Sequence, residues 1–271
     1  MSAAAQAVTP LRRPPRLGAF HAFERSLYVY RRTWRGTVFI SFLSPALYLA
    51  AMGLGIGGYV SASANAALPG GSYLAFLAPG LIAAQAMTVA AFECTYPVLG
   101  GILWNAQFLA MLSTPLRVRD IVAAHLCFLS FRVTLVTLAF LVIVVLFGAA
   151  SSPWLVLSVA IAVLTGLAFG GPITAFAASQ KTDSSFASLF RFGITPLFLF
   201  SGTFFPVEQL PAPLQPLAWL TPLFHGVALS RGLVLGSLDP FAGLLHLAVL
   251  AAYAVLGTIA AGLALRRRLI K

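Results

Sequence analysis

Asp120-Ile-Val-Ala-Ala-His125-Leu-Cys-Phe-Leu-Ser130-Phe-Arg132-Val-Thr-Leu-Val-Thr-Leu-Ala-Phe140-Leu-Val-Ile-Val-Val-Leu-Phe-Gly148 holds one arginine and one histidine, and the rest of its interior is apolar or small and hydroxylated. The run is longer than the ~20 residues that cross a hydrocarbon core at a helical rise of about 1.5 Å per residue. In hydrocarbon every backbone N–H and C=O needs a partner within the chain, and a helix supplies all of them locally. The stretch therefore reads as a transmembrane helix. Working outward, comparable runs fall at about 38–60, 74–97, 153–179, 185–205 and 241–265. The expectation is an all-α, polytopic membrane protein with six transmembrane helices.

Composition agrees. Of the 271 residues, 60% are hydrophobic and 8% charged, with a mean hydropathy of +0.94; an ordinary soluble domain carries roughly 25% charged residues. The net charge of +11 sits in short basic clusters beside apolar runs, where anionic headgroups rather than nucleic acid are the neighbours. No nucleic-acid partner is expected. Fifteen of the 17 Lys and Arg lie before the first run, after the second, around the fourth loop or at the C-terminus, whereas 61–73 and 149–152 carry no charge. The positive-inside rule then puts both termini in the cytoplasm and the chain in the inner (plasma) membrane. Residues 1–36 lack the apolar core of a signal peptide, so the tail is expected to stay on the mature protein.

Within 1–36, Phe20, Phe23, Leu27, Tyr30 and Trp34 recur three or four residues apart, and Glu24, Arg25, Arg31, Arg32 and Arg35 occupy the neighbouring arc. That is an amphipathic helix suited to the inner headgroup layer, or to a docking partner. The expected domains are this tail and helix, then a six-helix transmembrane domain over 37–271. After the second run, Gly100-Gly101 permits a sharp exit, and Ile102 to Ser113 reads as a short cytoplasmic helix that Pro115 terminates. Its apolar face of Trp104, Phe108 and Met111 packs either against the inner ends of the spans or into a groove on a motor subunit.

Phe204 to Pro240 is proline-rich yet mostly apolar, too apolar for a solvated loop. Thr221-Pro222 resembles a capped helix start leading into a stretch that ends near Gly236. Two short helices dipping into the outer leaflet, or an outer lid, would satisfy this backbone. Glu93 and Arg132 are the clearest ionisable residues inside apolar runs, and burying either alone costs roughly 3 kcal/mol. Glu93 lies near the inner end of its run and Arg132 about 18 Å deeper than Asp120, so direct pairing requires snorkelling or offset helices. With His125 seven residues before Arg132 on the same face, the three form a candidate polar seam, for substrate or for helix-helix bonding.

Catalytic and cofactor motifs are missing: no phosphate-binding loop, HExxH, CxxC, GxSxG or acidic metal pair occurs. No catalysis, metal or cofactor is expected of this chain, and any ATP chemistry belongs to another polypeptide. Cys94 and Cys127 fall inside apolar runs and read as buried hydrophobes.

Met111-Leu-Ser-Thr-Pro-Leu-Arg-Val-Arg-Asp-Ile-Val122, Ser201-Gly-Thr-Phe-Phe-Pro206, Leu210-Pro211, Trp219-Leu-Thr-Pro-Leu223 and Arg231-Gly232 resemble the type-2 ABC exporter (ABC-2) permeases, especially those for nodulation lipo-chitooligosaccharides and daunorubicin-like drugs. The resemblance spans nearly the whole chain, departing at Trp104-Asn105-Ala106, where nodulation-type members tend to have an acidic residue after the tryptophan. It implies a connecting helix carrying Phe20, Phe23, Leu27, Tyr30 and Trp34. It further implies a coupling helix at about 101–114 carrying Trp104, Phe108, Met111, Leu112, Thr114, Pro115 and Arg117, seated on an ATPase. An outer re-entrant gate at about 204–240 would carry Phe204, Phe205, Pro206, Trp219, Pro222 and Arg231. Partners implied are two cytoplasmic ABC ATPase subunits holding ATP and Mg, a second permease copy or paralogue, membrane lipids and an amphipathic substrate. The expected function is export of a lipid-linked or drug-like amphipath; an ion-coupled secondary transporter and a non-transporting scaffold subunit are the alternatives.

Overall fold

The structure, a computed structural model, describes residues 17–56, 72–149 and 152–270, and these hold helices and connecting turns without a strand. The expected tail before Leu17 and most of the first outer loop, 61–71, lie outside the described residues. Helix α1 covers Gly18–Leu49 and continues as a π-helix over Ala50–Ile56. Next come α2 (Tyr73–Cys94), α3 (Tyr96–Leu103), α4 (Gln107–Leu112) and α5 (Val118–Leu146). A short 3-10 turn leads into α6 (Ser158–Ser179), followed by α7 (Ser184–Leu189), a π turn and α8 (Thr195–Phe200). The chain ends with α9 (Gln215–Leu220), α10 (Pro222–Leu235) and α11 (Pro240–Leu269).

Among the described residues four helical segments are long and apolar enough to cross a membrane: Tyr73–Leu103, Val118–Leu146, Trp154–Ser179 and Pro240–Leu269. Ser184–Phe200 and Pro222–Leu235 are shorter apolar helices. Where the sequence reading separates an interfacial helix ending at 36 from a first span, the backbone is unbroken. A single glycine, Gly36, costs a helix only about 1 kcal/mol and does not end it.

Packing follows small residues. Helices α6 and α11 form the most extensive contact, because at their crossing a side chain on Gly257 would strike the Pro172 ring and one on Gly171 the Gly257 backbone. Such close backbone approach replaces the hydrophobic drive that lipid does not provide. Around α2 the core holds Phe76, Met87, Leu99, Leu129, Phe140 and Leu223, all essentially inaccessible. By contrast α11 leaves Phe241, Leu244, Leu245 and Leu256 more than half exposed, a surface matched to acyl chains.

Candidate functional site

The turn after the second run is built differently from the sequence expectation. Gly100 and Gly101 lie inside α3 rather than forming a sharp exit, and the reversal comes at Trp104-Asn105-Ala106, where Ala106 adopts a left-handed φ of 47°. One expected helix over 102–113 is thus two. The glycines serve as seats: a Cβ on Gly101 would meet the Phe108 ring at 3.0 Å and one on Gly100 the Trp104 ring at 3.0 Å. Phe108 is buried, whereas Trp104 is 59% exposed. Met111 and Leu112 are half-buried; Thr114, Pro115 and Arg117 are exposed. The Arg117 N–H donates to Asp120 at 2.9 Å and starts α5.

Glu93 and Arg132 form a direct ion pair, Nε to Oε1 at 2.9 Å, with side-chain exposures of 19% and 8%. Their depths match because the helix resumes after Thr95 and runs on to Leu103, so Glu93 lies about 15 Å from the end at Leu103 rather than at the end of its span. The Tyr30 ring lies under the Arg132 guanidinium at 4.8 Å and meets the edges of Phe128 and Phe131, while Phe23 meets Phe131. The α1 stripe therefore divides. Phe23, Leu27 and Tyr30 are at least partly buried, and Phe20 and Trp34 are exposed, Trp34 with Arg35 at 5.9 Å from its ring.

A cavity of about 300 Å³ opens beside the ion pair, lined by Arg25, Ser26 and Tyr30 of α1, Phe108 and Met111 of α4, and His125 of α5, among others. His125 shares this cavity with Glu93 and Arg132 but bonds to neither; its Nε2 and the Tyr30 hydroxyl are buried without a hydrogen-bond partner among the described residues. In a second cavity of about 320 Å³, Gln85, Thr88 and Phe92 of α2 face Tyr48, Phe140, Phe190 and Phe198. Sequence reasoning missed this aromatic cavity; its signal was Gln85, an uncharged amide inside an apolar run.

At the other end, Thr221 caps α10 by accepting from the Phe224 N–H, Pro222 takes the first turn, and Gly236 closes it at a φ of 68°, as the sequence predicts. Arg231 donates from Nε to the Phe76 carbonyl at 3.2 Å and from Nη2 to the carbonyls of Gly202 and Thr203 at 2.9 and 3.3 Å. Its guanidinium lies 3.7 Å over the Phe76 ring. Burial lowers its pKa to about 10, against the pull of Glu208, so it remains a cation at neutral pH. Phe204 is buried and packs on Tyr48 and Phe198. Phe205 and Pro206 are half-buried, Pro222 buried and Trp219 exposed. Also unforeseen is the His225–His246 contact, Nδ1 to Nδ1 at 2.7 Å. Because His225 Nε2 meets the Trp219 carbonyl at 2.9 Å, it carries the His225 proton, and His225 Nδ1 accepts from His246.

The ABC-2 type transporter family model matches residues 19–235. Nodulation protein J of Rhizobium leguminosarum bv. viciae is 35% identical over 258 residues, covering 90% of this chain and 95% of that protein. Nodulation protein J of Rhizobium meliloti (strain 1021) is 30% identical, covering 92% of each, and that of Bradyrhizobium diazoefficiens is 31% identical, covering 90% and 93%. A family match over most of the length, with relatives this similar from end to end, shows that the chain belongs to the ABC-2 type transporter family and is a membrane component of an ABC transporter.

Proposed function

We propose that this chain is the permease subunit of an ATP-driven exporter that moves an amphipathic or lipid-linked substrate out of the cell. Family membership implies an ABC ATPase partner. The observation that carries the finer reading is that one cavity is lined both by Phe108 and Met111 of α4 and by the Glu93–Arg132 pair. Movement imposed on α4 by an ATPase reaches the buried ion pair without an intermediary. The neighbouring aromatic cavity, across the adjacent residues Phe92 and Glu93, gives the apolar part of an amphipath a place beside a polar one.

In this reading residues 37–56 and Ser184–Phe200 supply the first and fifth of six spans, and both termini lie in the cytoplasm at the inner membrane. Residues 204–240 form an outer re-entrant hairpin. Two ATPase copies hold ATP and Mg, and a second permease copy or paralogue completes the pathway. The exposed Trp104 is the contact offered to the ATPase. Co-expression with a candidate ATPase tests this. The wild-type chain co-purifies with it and stimulates its ATP turnover, and Trp104→Ala keeps its fold but loses the stimulation. A chain that purifies alone and transports on an ion gradient would instead be a secondary transporter.

A further inference from the structure

A groove of about 680 Å³ lies behind the coupling segment, between the ends of α4, α5 and α11. Arg117, Arg119 and Arg266 rim it, and its floor includes Leu109, Leu112 and Leu269. Its charge is barely compensated. Asp120 accepts the Arg117 backbone N–H and is 4.0 Å from Arg119; among the described residues no carboxylate pairs with Arg117 or Arg266. Arg117 caps one candidate span and Arg266 lies in the last turn of another, the level at which hydrocarbon gives way to headgroups.

The geometry points to this groove as a binding site for an anionic phospholipid of the inner leaflet. Guanidinium forks match the oxygens of a phosphodiester, the leucine floor takes the upper acyl chains, and basic pockets between helices on this side of a membrane bind anionic heads. Charge decides the occupant: a zwitterionic lipid returns a cation to a rim that already holds three, and an inorganic anion leaves the leucines uncovered. Leu109 and Leu112 belong to α4, so the bound lipid backs the helix that meets the ATPase and stiffens it. That consequence for coupling rests on the exporter reading; the binding itself does not.

The test places the purified full chain in nanodiscs of equal parts phosphatidylglycerol and phosphatidylcholine and counts retained lipids by native mass spectrometry. The wild type retains phosphatidylglycerol preferentially. Arg266→Gln lowers that retention about fivefold and Arg119→Gln with Arg266→Gln about thirtyfold, the weight of one and two interfacial arginines. Arg267→Gln, which removes the same charge from the same turn outside the groove, leaves it unchanged. Equal losses in Arg266→Gln and Arg267→Gln would overturn the site as a diffuse basic surface. Displacement of the lipid by millimolar inorganic phosphate would overturn it in favour of a small-anion site. Unchanged lipid with lost ATPase co-purification in the double variant would make the groove an acidic protein's contact and overturn the lipid assignment. Loss of lipid retention in a chain that binds no ATPase would leave the site standing and sink the exporter reading alone.

Discussion

Two arginines are held in apolar surroundings at opposite ends of α2, and they are held differently. Arg231 donates to three backbone carbonyls and lies on the Phe76 ring; its partners belong to the main chain of α2 and the 201–205 segment, which cannot rotate away. Arg132 meets one carboxylate, that of Glu93, and one ring, that of Tyr30. Beside it are a cavity and two polar atoms, His125 Nε2 and the Tyr30 hydroxyl, with no partner among the described residues. Side-chain partners can be exchanged when helices shift, whereas carbonyl partners move only with the fold. Arg231 is a staple and Arg132 sits in a contact that can be remade, the kind of contact the proposed transport cycle needs.

The comparison breaks most visibly at the staple. Arg231→Ala orphans the Gly202 and Thr203 carbonyls, each worth about 1–3 kcal/mol, and cuts the tie to the Phe76 carbonyl; it is expected to abolish recovery of folded protein in detergent, and Arg231→Lys, without the planar fork, rescues little. At the Glu93–Arg132 pair, Glu93→Gln leaves a buried guanidinium without its counter-charge and costs roughly 3–5 kcal/mol, read as a fall in thermal unfolding temperature. Glu93→Gln combined with Arg132→Gln recovers most of that stability and still lacks transport; full transport in the double variant would show the pair to be structural only. Trp104→Ala touches an exposed ring and is expected to shift stability by no more than about 0.5 kcal/mol while, on the proposed reading, ATPase stimulation is lost.

The smallest effect concerns His225 and His246. Burial, then the neighbouring His246, lowers the His225 pKa, with its bond to the Trp219 carbonyl opposing. A folded-state pKa below the unfolded value means that the unfolded chain binds the extra proton first. Stability from this contact is therefore complete above about pH 6.5 and declines as pH falls toward the folded value. A melting series from pH 7.5 to 5 shows the decline in the wild type, and His225→Gln flattens it.

Helix starts and stops set by adjacent residues were legible: Thr221, Pro222 and Gly236 bound α10 as local capping rules require. Features that depend on distant partners were not. Gly100-Gly101 reads as a chain exit when only neighbours are considered, but here the glycines make room for Trp104 and Phe108. The Glu93–Arg132 pair looked mismatched in depth because Pro97 suggested the end of a span, whereas it occupies the first turn of α3. Arg231 could be named from the sequence but its acceptors could not, since a backbone carbonyl at Phe76 leaves no mark on residue identity. The polar seam was half legible: two of its three members bond, and His125 only shares their cavity.

Thiol accessibility inside the cavity beside Glu93 and Arg132 tests the central claim most directly. Cys94 is fully buried and Cys127 exposed, so a Cys127→Ser chain with Ser26→Cys reports from the cavity alone. In complex with the ATPase, ATP binding is predicted to change the labelling rate at position 26 at least severalfold, and Trp104→Ala to abolish the change. A labelling rate indifferent to ATP in an intact, ATP-hydrolysing complex would contradict the account.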